Sequence, residues 1–312
     1  MLALSLASCS PEETSKINVG VLSGPTGMGM AKMIADNGAD SDKYSFTVFG
    51  SPDAAKNAFV AGDVDAICFP TNTAANLYNA LNGSLYVTAI NTLGSLYLLT
   101  DSDTTISSVS DLEGKTIYAS VPGSTTGAII DYILEKNGVN ANVTFEYNGE
   151  TLAEHDQLAA LVGQGKVDIA IMPEPKATAT MVQNPDAGIS IDLNLSLEWE
   201  KVSDETAPLT MGCIIIKKDF VDKYYTSVNS FLDEYEASIA YVNAKENNAD
   251  AAQMIVDAGI LPKLPIAKKA LNNLYGSISY IDGEEMKEAL LSFYSAIGMN
   301  APADAFFYEA DN

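Results

Sequence analysis

Four short segments of this sequence can hold a ligand. Between them they offer hydroxyls, backbone N–H groups and one carboxylate. The first is Ser23-Gly24-Pro25-Thr26-Gly27-Met28-Gly29. Its glycines let the backbone approach a bound molecule closely, and a helix starting there presents free N–H groups and the positive end of its dipole. The segment lacks the Lys-Ser/Thr of a P-loop and the Gly-x-Gly-x-x-Gly spacing of a dinucleotide turn. The second, Pro122-Gly123-Ser124-Thr125-Thr126-Gly127, repeats this logic with three hydroxyls, although Ser124 or Thr125 is equally suited to be a plain helix N-cap. The third and fourth are Pro70-Thr71-Asn72-Thr73 and Pro173-Glu174-Pro175. Glu174, fixed between two prolines, either accepts a hydrogen bond from an amine or ring N–H of a ligand or caps the helix that follows.

Catalysis finds few candidates. The one histidine, His155, stands on a polar part of a helical stretch and is expected in solvent. There is no Gly-x-Ser-x-Gly nucleophile elbow and no His/Cys cluster with metal-ligand spacing, so no catalytic residue, metal or cofactor is expected. Cys68 and Cys213 lie in apolar, strand-like runs and read as small buried hydrophobes. Trp199 and most tyrosines are expected in the core. Cys9 differs. It ends Leu6-Ala7-Ser8-Cys9 after an apolar start and precedes the polar stretch 10–15. That pattern resembles the lipobox of bacterial lipoproteins, in which the cysteine carries acyl chains. Two or more such chains anchor a protein stably to a membrane.

The elements that must position these segments form a repeat. Thr26-Gly27 and Asn37-Gly38 return as Thr126-Gly127 and Asn137-Gly138, in both cases 100 residues on. Each pair brackets a helical pattern: in the first, Met30, Met33 and Ile34 fall on one face, and in the second Ile129, Ile130, Ile133 and Leu134 do so. Strand-like runs, 17–22 and 116–121, precede them. Further on, Gly62-Asp63-Val64-Asp65-Ala66-Ile67 returns as Gly165-Lys166-Val167-Asp168-Ile169-Ala170, and Pro70 as Pro173. Amphipathic helices are predicted over 53–60 and 152–162. Each half thus reads β-α-β-α-β-α, which implies an α/β fold with two lobes, each a mostly parallel sheet flanked by helices. In such sheets ligands sit beyond the carboxyl ends of the strands, where all four segments fall. From about residue 219 the pattern is helical, and these helices are expected to pack on the first lobe. Strand-like 95–100 and 212–217 are the candidate crossings between lobes.

Composition narrows the partners. The chain has 312 residues, 47% apolar and 19% charged, enough for two globular domains. Its formal net charge is −24, and all 17 basic residues are lysines. Nucleic acid is therefore not expected as a partner, and the bidentate arginine clamp for carboxylates and phosphates is missing.

Together these residues resemble a known family. Gly165-Lys166-Val167-Asp168-Ile169-Ala170-Ile171-Met172-Pro173-Glu174-Pro175 resembles a segment of the ABC-importer solute-binding proteins for nitrate, sulfonates, taurine and thiamine precursors. Asp111-Leu112-Glu113-Gly114-Lys115-Thr116-Ile117 resembles the opening of their second lobe, and Pro122-Gly123-Ser124-Thr125 their ligand loop. The resemblance implies the type II periplasmic-binding fold and ligand contacts at Pro25, Thr26, Gly27, Met28, Thr71, Asn72, Ser124, Thr125, Thr126 and Glu174. It implies a non-enzymatic, monomeric protein, lipid-anchored at Cys9 outside the cell membrane. This protein would close by a hinge on a small solute and deliver it to a membrane permease. Residues 1–15 are then signal remnant and tether, 16–100 with 212–312 the first lobe, and 101–211 the second. A small polar solute, heteroaromatic and thiamine-precursor-like, is expected, with a sulfonate second. An enzyme on the same fold and a ligand-binding sensor are the rival readings. The departure from the family is Met172-Pro173, where aromatic residues are common in its sulfonate and nitrate members.

Overall fold

The computed structural model describes residues 14–38, 41–203 and 207–309; Cys9 lies outside them. The first lobe opens with β1 (Ile17–Leu22), the short turn α1 (Pro25–Met28), α2 (Ala31–Asn37) and β2 (Tyr44–Phe49). It continues with α3 (Pro52–Ala61), β3 (Ala66–Pro70), α4 (Thr71–Ala80) and β4 (Leu85–Leu93). The second lobe begins at β5 (Leu96–Thr100), then β6 (Thr116–Tyr118), α5 (Thr125–Asn137) and β7 (Asn142–Thr144). A hairpin of β8 (Glu146–Tyr147) and β9 (Glu150–Thr151) leads to α6 (His155–Gly163), β10 (Ile169–Pro173) and α7 (Lys176–Gln183). After β11 (Ser190–Asn194) and α8 (Leu195–Glu200) the chain returns to the first lobe at β12 (Thr210–Lys217). There follow α9 (Lys218–Lys223), α10 (Tyr225–Asn243), α11 (Asn248–Asp257), α12 (Leu264–Asn273), β13 (Ile278–Ile281) and α13 (Gly283–Ala296).

The two sheets share one plan. The first runs β13-β4-β12-β3-β1-β2 and the second β11-β5-β10-β6-β7. In each, three strands are parallel: β2-β1-β3 and β7-β6-β10. These are the repeated units seen in the sequence. Each triple is then flanked by an antiparallel strand that arrives from the other lobe, β12 against β3 and β5 against β10. The sheets are therefore mixed, because the chain enters each from the opposite direction. The runs 95–100 and 212–217, predicted as crossings, are mostly strands within one sheet each: β5 pairs with β10 and β11, and β12 with β3 and β4. The crossings are the shorter residues 94–95 and the stretch between β11 and β12.

Local sequence accounts for the elements. β1 is buried along nearly its whole length, as a central parallel strand must be. Ser51 starts α3 by accepting from the Ala54 N–H at 3.3 Å, with Pro52 in the first turn. Gly62 ends it in the left-handed region at φ 91°. In the first lobe the helix after β1 is divided into α1 and α2, and Gly27 lets α1 lie close against the backbone: a Cβ there would stand 1.9 Å from the Leu22 carbonyl oxygen. The break is capped from outside. Ser238 of α10 donates its hydroxyl to the Gly29 carbonyl at 2.6 Å and accepts from the Met33 N–H at 3.0 Å. As predicted, the C-terminal helices pack on the first lobe, with Phe231, Tyr235, Ile239 and Leu271 joining Val19, Met30 and Met33 in one core. The short strand β13 and the β8–β9 hairpin carry no alternation long enough to read from sequence.

A second core runs through both lobes at the crossings. Its centre is Trp199 of α8, fully buried, with its ring 4.5 Å from Tyr132 of α5 and 5.8 Å from Phe293 of α13. Cys68 and Cys213 are buried on neighbouring strands as free thiols. The two crossings touch at Gly94, where a Cβ would meet Ser196 Oγ at 1.7 Å and Ser196 Cβ at 2.3 Å. Gly94→Ala is therefore expected to cost about 2 kcal/mol, the usual scale of overpacking. Adding Ser196→Gly should recover most of that loss. Urea unfolding of the two single variants and the double variant measures this coupling, and strict additivity would refute the contact.

Candidate functional site

All four ligand segments follow parallel strands, at the carboxyl ends of β1, β3, β6 and β10. This is where ligands bind in such sheets. The first and fourth meet across the lobes: a Cβ on Gly24 would lie 3.9 Å from Pro175 Cδ. Gly24 holds φ 119°, a conformation closed to most other residues.

In the first segment, Thr26 is half-buried. Its side chain lies over Gly212 of β12, where a Cβ would stand 2.2 Å from Thr26 Cγ2. Its carbonyl accepts from Asn91 Nδ2 at 3.2 Å. Asn91, buried in the apolar strand β4, also donates to the Cys213 carbonyl at 3.0 Å. A lone amide in such a strand was the available sequence signal for a supporting residue, and it was missed. Met28 corrects the prediction: its side chain packs fully buried in the first-lobe core, away from any cleft. The Gly27 and Met28 N–H groups both bond to the Gly24 carbonyl at 3.1 Å and shape the turn.

The third segment is mainly structural. Thr71 is buried, donates its hydroxyl to the Thr210 carbonyl at 2.9 Å and accepts from the Tyr294 hydroxyl on its own carbonyl at 2.9 Å. Its side chain anchors α4 to β12 instead of facing a ligand. Asn72 is half-buried and accepts from the Thr73 hydroxyl at 3.4 Å.

The second segment is built differently. Ser124 is the N-cap of the 13-residue α5, yet its side chain makes no cap bond. Its Oγ is buried and has no hydrogen-bond partner. Thr125 is half-buried, Thr126 is buried, and Gly127 lets the Phe145 ring close in. The loop before them is strained: Val121, a β-branched residue, holds φ 59°. Such a conformation persists only where its surroundings impose it. Here the Val121 N–H donates to the Leu152 carbonyl at 2.8 Å, and Ser120 Oγ bonds His155 Nδ1 at 2.8 Å. His155 is therefore no solvated surface residue. It opens α6 against the base of this loop, beside the Lys176–Asp156 ion pair.

In the fourth segment the Glu174 carboxylate is 1% exposed and accepts from protein donors on both oxygens. Oε2 accepts from the Thr178 N–H at 3.2 Å, and Oε1 accepts from the Thr178 hydroxyl at 2.8 Å and Asn273 Nδ2 at 2.6 Å. Of the two roles the sequence left open, the helix cap is the one taken. Burial pushes its pKa up, and the bonds from Asn273 and Thr178 only partly counter this. Among the described residues no group of three His, Cys, Asp or Glu is placed to hold a metal ion, and no helix is long and apolar enough to cross a membrane.

A family model described as the phosphonate periplasmic substrate-binding protein of ABC transporters matches residues 42–232. A search of curated proteins finds no match. Among solved structures, an ABC transporter from Parabacteroides distasonis is 19% identical at TM-score 0.75, covering 95% of this chain and 100% of that one. The periplasmic aliphatic sulphonate-binding protein SsuA from Escherichia coli is 15% identical at TM-score 0.71, covering 96% of this chain and 94% of its own. The periplasmic nitrate-binding protein NrtA from Synechocystis PCC 6803 is 13% identical at TM-score 0.60, covering 88% of this chain and 75% of its own. At these identities the likeness is one of fold, the two-lobed type II periplasmic-binding architecture.

His155 makes the loop support measurable. Burial first, and then Lys176, hold its pKa below the ordinary 6.5, against the opposing pull of Glu154 and Asp156. The unfolded chain binds that proton more readily, so stability should fall as pH drops below about 6.5 and be regained above it. Urea unfolding at pH 7.5 and pH 5.5 should show this loss in the wild type, and His155→Gln should remove it. A difference between the two proteins that does not change with pH would contradict the burial.

Proposed function

Since this chain belongs to the phosphonate periplasmic substrate-binding family of ABC transporters, we propose that it captures a small organic solute with a tetrahedral oxyanion head, a phosphonate first and a sulfonate second. The protein is the extracytoplasmic binding component of an ABC importer and works with a membrane permease. The observation that carries the finer reading is Ser124. An N-cap serine that leaves its own helix uncapped, with its hydroxyl buried and unpartnered, is poised to bond something else. The amino end of α5 adds the N–H groups of its first turn and a positive dipole end. Thr125 and Thr126 contribute hydroxyls from the same turn. From the first lobe, the Thr26 N–H and Asn72 complete the site. An anion bound this way needs no arginine, and the chain has none.

The expected heteroaromatic solute loses its main support, because both oxygens of Glu174 already have donors. Closure of the lobes on the solute produces the form that docks on the permease. Acyl chains on Cys9 hold the protein at the outer face of the membrane through the polar tether of residues 10–15.

Titration calorimetry with methylphosphonate, ethanesulfonate and a thiamine-type aminopyrimidine tests this reading. The phosphonate should bind tightest. Ser124→Ala and Thr125→Val should each weaken it about tenfold or more, the scale of a hydrogen bond to a charged group. Binding of the aminopyrimidine alone, or affinity unchanged in both variants, would overturn it.

A further inference from the structure

Asn273 makes contacts that solute binding does not require. It ends α12 in the first lobe, and both its side chain and its carbonyl reach the second lobe. Nδ2 donates to Glu174 Oε1 at 2.6 Å and to Thr178 Oγ1 at 3.1 Å. Its carbonyl accepts from the Tyr97 hydroxyl at 2.6 Å. Ala267 and Leu271 root α12 in the first-lobe core, whereas Tyr97, Glu174 and Thr178 belong to β5, the turn after β10, and α7. One residue thus joins the lobes through three hydrogen bonds outside the two chain crossings. Gly24 of the first lobe also comes near Pro175, the residue after Glu174.

We propose that Asn273 is a latch, a positioning residue that holds a substantial closed population before any solute arrives. Opening would strip Asn273 from a carboxylate and a phenol at once. A hydrogen bond to a charged acceptor shifts an equilibrium roughly tenfold or more. Water that reaches Glu174 on opening returns part of that, since a buried carboxylate is costly to keep dry. The two terms oppose each other, so the closed form is favoured by a small margin and remains able to open. Lys269, one turn before Asn273 on α12, adds a weak pull on the same carboxylate. If the solute binds between the lobes as proposed above, the latch also sets affinity, because only the closed fraction grips from both sides.

The latch itself can be read with no solute present. In the full chain carrying Cys9→Ser, spin labels on Val182→Cys of α7 and Lys268→Cys of α12 report the separation by double electron–electron resonance. Both positions are exposed, while Cys68 and Cys213 are buried. The parent protein should show a closed population, and Asn273→Ala should lower the closed-to-open ratio about tenfold. Tyr97→Phe, which removes one hydroxyl from an otherwise intact ring, should lower it less and covers the case of a poorly folded Asn273→Ala. An unchanged ratio in both variants, or a parent protein found only in the open form, would overturn the latch. Adding methylphosphonate to Asn273→Ala should restore closure. If the parent and the variants differ as expected but methylphosphonate closes neither, the latch stands and the phosphonate reading falls.

Discussion

The close approach of Gly94 and Ser196 sets the conditions for everything else in this molecule. Two lobes with separate sheets are joined by two crossings, and these pass at a distance that only a glycine allows. Trp199, Tyr132 and Phe293 pack around the same place and tie it to both lobes. Such a joint resists sliding, because a shift of one crossing drives Ser196 into the Gly94 backbone. Rotation about the joint leaves that contact in place. In the proposed clamp the lobes would therefore swing more readily than shear, carrying the loops at the carboxyl ends of both parallel triples as units.

Much of this was legible in the sequence because a duplicated unit repeats its turn residues. Gly62 and Gly165 end helices, Pro70 and Pro173 end strands, and these positions are fixed by backbone geometry, which sequence reports well. What remained hidden depends on partners far along the chain. Met28 looks like a loop residue until β12 and β13, from far along the chain, pack against α1. Glu174 stands in a ligand-like position, yet its oxygens are claimed by Thr178 four residues on and by Asn273 about a hundred residues on. His155 sits among charged neighbours in sequence, and only the fold brings Ser120 to its ring. Ser124 was readable as a helix cap or a ligand group, and what separates the two is the absent cap bond, which no sequence displays.

The proposed site would let a chain with net charge −24 and no arginine favour an anion. Full positive charges on the loops would attract counter-anions of every kind and would have to be desolvated on closing. Helix amino ends and hydroxyls carry partial charge, fixed in direction by the backbone, and are effective only at the spot where they converge. Their strength rises when closure excludes water, since the same dipoles act through a lower dielectric. On the proposed reading, recognition and closure are one event: the open lobes, bathed in solvent, would hold an anion weakly, and the closed lobes would hold it well. A latch of moderate strength suits that arrangement. It brings the dipoles together often enough for a passing solute to meet them assembled, and the buried carboxylate at its centre keeps the closed form from becoming permanent.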